Sequence, residues 1–375
     1  PDDHVLLLTL HHIVADAWSM RLLVEELLGA YAGTAAPPEL PIQFADYAEW
    51  QRDWLAAGEE QRQLAFWSAQ LGDAGAVLDL PTDRPRPAEQ SHRGAQHGIV
   101  LPASLARRLD GLARERRATP YMILLAGFLA LLHRWTGQSD LRVGVPVANR
   151  GRPETDALIG FFVNTQVVRA EVDGSRGFAA LLDQVRASAL AAQGHQDLPF
   201  ERLVEALHPE RSLAHNPLFQ VLFSHEPLDP GPSRPAGLAV EELDLPAVAT
   251  QFDLSLTTDE RDDGCIGCTF TYATDLFDAA SIAHLAAQLL HLLAGAAATP
   301  EAPLERLPLL DAAERERLVR IGTGRALDHA ASRCLHELFE AQARLRPDAV
   351  AVSLDGAVLT YGELNARGNR LAHRL

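Results

Sequence analysis

The sequence contains no lysine: all 33 of its basic residues are arginine. That absence removes the P-loop lysine, Schiff-base chemistry and Ser-Lys dyads together. It also points to a GC-rich gene, because arginine codons can be GC-rich and lysine codons cannot; the base composition of the gene checks this. Cysteine is scarce as well. Three cysteines build no disulfide framework, so a reducing cytoplasm is the expected compartment. No Gly-x-Ser-x-Gly elbow is present, which argues against a serine hydrolase. No apolar run reads as a membrane span, and no signal peptide opens the chain. Positive charge is outnumbered, with a net charge of −17. Such a chain has no general attraction for nucleic acid, whose binding rests on neutralising phosphates.

What is present is ordinary globular composition, 47% hydrophobic and 22% charged, long enough for two folded units. Pro1-Asp-Asp-His4 leads straight into an apolar run, which reads as the middle of a domain. Residues 4–10 predict a short buried strand. The tight connection His11 to Asp16 follows, then a helix from Ala17 to Tyr31 with apolar residues at helical spacing. A second helical region, Phe44 to Leu71, is rich in aromatics. The run Leu80-Pro-Thr-Asp-Arg-Pro-Arg-Pro87 predicts a connector between two lobes. Beyond it the pattern predicts strands near 95–101, 141–147, 161–172, 218–224, 252–258 and 265–272. Helices are expected near 103–117, 119–135, 176–193, 198–207 and 279–294. Residues 299–334 read as a linker with a short charged helix near 311–320. The pattern then restarts over 335–375: helix, strand, an Asp355-Gly356 turn, strand, helix.

The residues with most chemical content are His11, His12 and Asp16, at a strand-to-helix turn. Histidine exchanges a proton near neutral pH, and such a turn holds its ring rigidly. From the residues alone Asp16 either caps the helix or orients a histidine or pairs with an arginine. His-x-x-x-Asp offers two metal ligands, but no third has convincing spacing nearby.

The run His11-His-Ile-Val-Ala-Asp16-Ala17-Trp18-Ser19-Met20 resembles the His-His-x-x-x-Asp-Gly-Trp-Ser motif of non-ribosomal peptide synthetase condensation domains. Three further runs follow in that family's order. Ile159-Gly-Phe-Phe-Val-Asn164-Thr165 is similar to Ile-Gly-x-Phe-Val-Asn-Thr. His195-Gln-Asp-Leu-Pro-Phe-Glu201 is similar to His-Gln-Asp-x-Pro-Phe-Glu. Arg211-Ser-Leu-Ala-His-Asn216-Pro217-Leu218 resembles an arginine-to-Asn-Pro-Leu motif. The resemblance spans residues 4 to about 295.

It implies an α/β fold of two chloramphenicol-acetyltransferase-like lobes, a V-shaped pseudo-dimer around a central tunnel. Residues 1–80 would be the later part of the N-terminal lobe and 81–298 the C-terminal lobe. The implied reaction joins an upstream peptidyl or aminoacyl thioester to the amine of a downstream aminoacyl thioester. Phosphopantetheine arms of two carrier proteins deliver both substrates, with no directly bound cofactor and no metal. Carried over by position, His12 is the catalytic histidine, either taking the amine's proton or holding the amine. Asp16 is structural, paired with Arg150; Arg152 is the second choice. Ala17, Trp18, Asn164 and Thr165 line the tunnel. Ala17 departs from the family's glycine. Asp197 is read as a cap on the helix after it, Phe161 as core, and Cys265-x-x-Cys268 as neither zinc site nor redox pair. The arginines at 107, 108, 114, 116 and 117 suit either carrier docking or a solvated helix face.

The run Leu359-Thr-Tyr-Gly-Glu-Leu-Asn365 resembles the first motif of adenylation domains, so 335–375 is expected to begin one, though without its nucleotide site. The order favours condensation over epimerisation, while a dual condensing and epimerising type remains an alternative. A truncated, non-catalytic piece that keeps carrier docking is another alternative, and a stand-alone acyltransferase of the same superfamily is a third.

Overall fold

A computed structural model describes residues 4–33, 39–72, 77–207, 212–228, 238–240, 243, 249–324 and 334–375. The chain divides into two compact units, residues 1–311 and 312–375.

In the first unit the strand expected over residues 4–10 is not formed. Residues 4–10 carry no regular structure, and Val5, Leu6 and Leu7 are exposed. A strand exists only where a neighbour supplies its ladder of hydrogen bonds. Among the described residues no strand runs beside this segment, so its β-type sequence is not expressed. The first helix, α1 (Ala17–Ala32), starts where Asp16 accepts from the Ser19 amide and ends at Gly33, whose φ of 65° is left-handed. Helix α2 (Phe44–Trp54) is capped by the reciprocal Gln43–Asp46 pair. It passes through a π-turn at Leu55–Glu59 into α3 (Glu60–Leu71). The kink sits at Gly58, where φ is 116° and a side chain would be strained.

Strand β1 (Gly94–Leu101) leads to helices α4 (Ala103–Glu115) and α5 (Pro120–Thr136). Then come β2 (Asp140–Val147), β3 (Asn164–Glu171), α6 (Phe178–Gln193), α7 (Phe200–Leu207), β4 (Val221–Glu226), β5 (Leu254–Glu260), β6 (Ile266–Ala273) and α8 (Ala279–Ala298). The strands form one mixed sheet in the order β1-β6-β5-β4-β2-β3. Strands β2, β4 and β5 are mutually parallel; the remaining pairings are antiparallel. The core between sheet and helices holds Phe128, Leu129, Phe178, Phe223, Phe270, Leu285 and Leu289, all essentially inaccessible. Helix α8 is the one described helix long and apolar enough to cross a membrane. Here its apolar side is core, with Ile282, Leu285, Leu289 and Leu292 buried.

Among the described residues the sheet of the C-terminal lobe is present, and residues before 80 contribute α1, α2 and α3. The proline-rich connector is pinned rather than loose. Asp83 accepts from the Asp278 amide and the Ser281 hydroxyl at the start of α8. Arg86 grips the buried Asp253 carboxylate with both terminal nitrogens. The expected linker also begins later than its prolines suggested. Leu304 and Leu307 are buried, and the Ala179 amide donates to Pro300. Residues up to 311 therefore belong to the first unit, and 325–333 of the expected linker lie outside the described residues.

The second unit comprises α9 (Ala312–Gly322), α10 (Leu335–Leu345), a hairpin of β7 (Val350–Leu354) and β8 (Ala357–Thr360), and α11 (Tyr361–Ala372). Asp355 and Gly356 both have positive φ, as a tight hairpin turn requires. Thr360 and Glu363 cap α11 reciprocally.

Candidate active site

The site is built where the His11–Ser19 turn meets the loop between β2 and β3. His11 accepts the Ile13 amide on Nδ1 at 3.1 Å. His12 does the reverse, with Nδ1 2.8 Å from the Ala15 carbonyl oxygen. A carbonyl only accepts, so this nitrogen carries a proton, and in the neutral imidazole His12 Nε2 is the nitrogen with the lone pair. The His12 side chain is exposed, and its ring meets Phe161 edge to face at 5.0 Å between centroids.

Four residues on, the environment inverts. The Asp16 and Arg150 side chains are 3% and 2% exposed, with Arg150 Nη2 3.3 Å from Asp16 Oδ1. Asp16 also accepts from the amides of Ser19 (2.8 Å), Phe162 (3.0 Å) and Val163 (3.2 Å). Burial alone would raise this carboxyl. The Ser19 and Phe162 hydrogen bonds, with the Arg150 charge, outweigh burial and hold it below its usual range. Both readings of Asp16 therefore apply at once: it caps α1 and pairs with an arginine. Arg150 further donates to the carbonyls of Thr155 and Leu158 and to Ser19 Oγ, and its guanidinium lies 4.1 Å from the Phe162 ring centre. Arg152, the second choice, instead stacks on Trp50.

Two residues at this junction were not singled out from the sequence. Ser19 is fully buried; its hydroxyl donates to the Gly160 carbonyl at 2.8 Å and accepts the Gly160 amide at 3.0 Å. Gly160 has no room for a side chain, since a Cβ would stand 2.2 Å from the Phe44 ring. The motif letters hinted at both, but a contact across 141 positions is invisible to local pattern. This loop also explains why β3 starts at Asn164 rather than 161. The Phe162 and Val163 amides serve the Asp16 carboxylate instead of a strand.

Of the expected tunnel-lining residues, Ala17 is exposed at the first position of α1 and is not among the residues of positive φ. Alanine in place of glycine thus brings no backbone strain there. Trp18 donates from Nε1 to the Asp156 carbonyl at 2.9 Å. Thr165 lies on β3 opposite Pro146. Asn164 is different: its amide donates to the Gln196 and Leu198 carbonyls and accepts from the Thr165 and Phe200 amides. Both hydrogens and both lone pairs are engaged, so the group is a staple with nothing left for a substrate. It also takes the role expected of Asp197, since Asn164 receives the first amide of α7. Asp197 instead meets Gln63 Nε2 at 3.3 Å, an amide that Glu59 shares at 2.9 Å. Burial pushes the Asp197 carboxyl up, and the Gln63 bond only partly offsets it. His195 stacks on Phe66 at 3.8 Å. Asn216 binds the Leu218 amide at 3.1 Å; Arg211 of the same motif lies outside the described residues.

Arg114 and Arg116 are tied into ion pairs with Asp110, Asp183 and Glu301. Cys265 and Cys268 are both free, and burial raises the Cys268 thiol to about 12. Among the described residues no group of three or more His, Cys, Asp or Glu side chains is placed to hold a metal.

Comparison with known proteins decides the family. Residues 1–319 match the family model for the condensation domain. The chain belongs to the condensation-domain family. All of this condensation-domain chain aligns with a linear gramicidin synthase of Brevibacillus parabrevis at 44% identity, covering 5% of that protein. All of it likewise aligns with phosphinothricin tripeptide synthetase PhsC of Streptomyces viridochromogenes at 43%, covering 35%. The chain thus spans a minor part of these curated relatives. Among solved structures, a four-domain non-ribosomal peptide synthetase matches 97% of the chain and 29% of its own, with 26% identity and a TM-score of 0.75. The X-domain from teicoplanin biosynthesis matches 80% of the chain and 70% of its own, with 30% identity and a TM-score of 0.72. The mixed sheet flanked by helices is therefore the chloramphenicol-acetyltransferase-like fold of that family.

Proposed function

We propose that this condensation domain forms an amide bond between two carrier-bound thioesters, with His12 as the reacting histidine. The observation that carries the reading is the His12 ring: Nδ1 is bound to the Ala15 carbonyl on an exposed ring, which in the neutral imidazole leaves Nε2 as the proton acceptor. The acceptor amine attacks the donor thioester carbonyl; the new C–N bond replaces the C–S bond. His12 Nε2 takes the proton that the amine loses, and the departing sulfur regains one as a thiol. Holding the two tethered substrates together supplies much of the acceleration, and a positioned base adds about 10²–10⁴-fold. Asp16 and Arg150 act by keeping the turn in shape. The substrates arrive on phosphopantetheine arms of upstream and downstream carrier domains. The domain works in the cytoplasm, and residues 335–375 open an adenylation domain that follows it.

The test uses the full encoded polypeptide with donor and acceptor aminoacyl groups loaded on carriers. Product formation is followed by mass spectrometry for the parent and for His12→Ala. The expected result is a loss of at least about a hundredfold. Equal rates remove His12 from the chemistry.

A further inference from the structure

We infer that Phe161 is a positioning residue for His12. The inference rests on the proposal that His12 is the reacting histidine. One hydrogen bond, Nδ1 to the Ala15 carbonyl, fixes one point of an exposed imidazole and leaves the ring free to pivot about it. The second contact is the Phe161 ring, 5.0 Å away and inclined by 75°, the edge-to-face geometry that aromatic quadrupoles favour. A pivot of His12 breaks that contact, so the two restraints together set where Nε2 points.

The restraint is useful only if Phe161 is itself held, and the backbone on both sides of it is. Before it, the Gly160 amide and carbonyl both bind Ser19 Oγ, and the carbonyl also receives the Asp16 amide at 3.2 Å. After it, the Phe162 and Val163 amides bind the Asp16 carboxylate. The buried Asp16–Ser19–Arg150 group touches no atom that reacts. Its consequence for the chemistry is to present residue 161 rigidly to His12. Phe161 is 39% exposed, unlike the buried Phe162 beside it, so part of its ring also faces whatever approaches the histidine. It occupies the one position that the Ile-Gly-x-Phe-Val-Asn-Thr pattern leaves open, so it is a feature of this chain and not of the pattern.

Two measurements on the full polypeptide test this. The first needs no turnover: diethylpyrocarbonate modification of His12 relative to His11, read by fragment mass spectrometry. His11 is the internal control, since its own ring is bound elsewhere. Phe161→Ala raises the His12-to-His11 ratio, and Phe161→Tyr, which keeps the ring, restores it. An unchanged ratio in Phe161→Ala overturns the positioning role, whatever turnover does. The second is the single-turnover rate with loaded carriers. Phe161→Ala lowers it about tenfold or more, with an unchanged melting temperature because the ring is partly exposed, and Phe161→Tyr recovers it. A normal rate in a variant whose ratio has shifted overturns the catalytic consequence. An inactive parent with a shifted ratio would instead remove the proposed reaction and leave the positioning contact standing.

Discussion

Asp16 and Asp197 each stand in a sequence motif, yet their carboxyls move in opposite directions. Asp16 is the more deeply buried of the two, and its proton affinity is lowered; Asp197 is half-buried, and its affinity is raised. Burial is the leading influence on both and pushes both up. The difference lies in the donors. Asp16 receives three backbone amides and a guanidinium. Asp197 shares a single side-chain amide with Glu59, a like charge, and the arginines near it act only at a distance. The contrast teaches that one carboxylate is built into the fold as a charge and the other is tolerated as one.

Removing the Asp16 carboxylate should have the greatest consequence. Asp16→Ala leaves Arg150 buried without its counter-charge and should cost about 3–5 kcal/mol, read by urea unfolding of the chain. A loss below about 1 kcal/mol would show that the pair is not structural. Gly160→Ala comes next. It drives a methyl group into Phe44 and should cost about 1–3 kcal/mol. An alanine variant of unchanged stability would mean that Phe44 moves freely. Asn164→Ala sharpens the other side. It removes three hydrogen bonds to the loop that carries Asp197, and a fourth from the Thr165 amide, and should cost about 1–3 kcal/mol. Amide exchange should quicken across 196–200 and stay slow at the Ser19 amide. Exchange that quickens equally at both would show that the two regions are not separate.

The smallest effect is the most diagnostic. Asp197→Asn should change stability at pH 7 by no more than about 0.5 kcal/mol, and in the stabilising direction. The signs follow from proton linkage. The folded Asp16 carboxyl lies below the ordinary value of 3.8, so the unfolded chain binds more protons between the two values. Its contribution is present above that value and is lost as pH falls through the folded one. The folded Asp197 carboxyl lies above 3.8, so its contribution runs the other way, declining as pH rises from 3.8 through the raised value. Unfolding free energy followed from pH 3 to pH 7 in Asp197→Asn should lack that decline. A decline equal to the parent's would contradict the raised carboxyl.

Much of this was legible in the sequence, and the failures have physical causes. The helices announced themselves by their apolar period, as over 119–135, while the cap there, the Thr119 hydroxyl accepting the Met122 amide, is shown by the structure. The Asp16–Arg150 pairing came only through family resemblance, because nothing local links positions so far apart. Residues 4–10 misled, since a strand is a property of a pair and not of a segment. Asn164 reads from the sequence as a tunnel-lining residue, and nothing local shows that the 196–200 loop and the Thr165 amide occupy its whole side chain. Phe161 was read as core because a Phe in an apolar run usually is, and only the geometry of the Asp16 loop turns it outward to His12.

In the proposed reaction His12 carries the chemistry while Asp16 carries the architecture. The most direct measurement pairs single-turnover condensation with melting temperature for His12→Ala and Asp16→Asn in the full polypeptide. His12→Ala should keep the parent's melting temperature and lose turnover, while Asp16→Asn should melt several degrees lower (about 2–4 °C per kcal/mol lost). A His12→Ala variant that condenses at the parent's rate, or an Asp16→Asn variant that melts with the parent, would contradict this assignment.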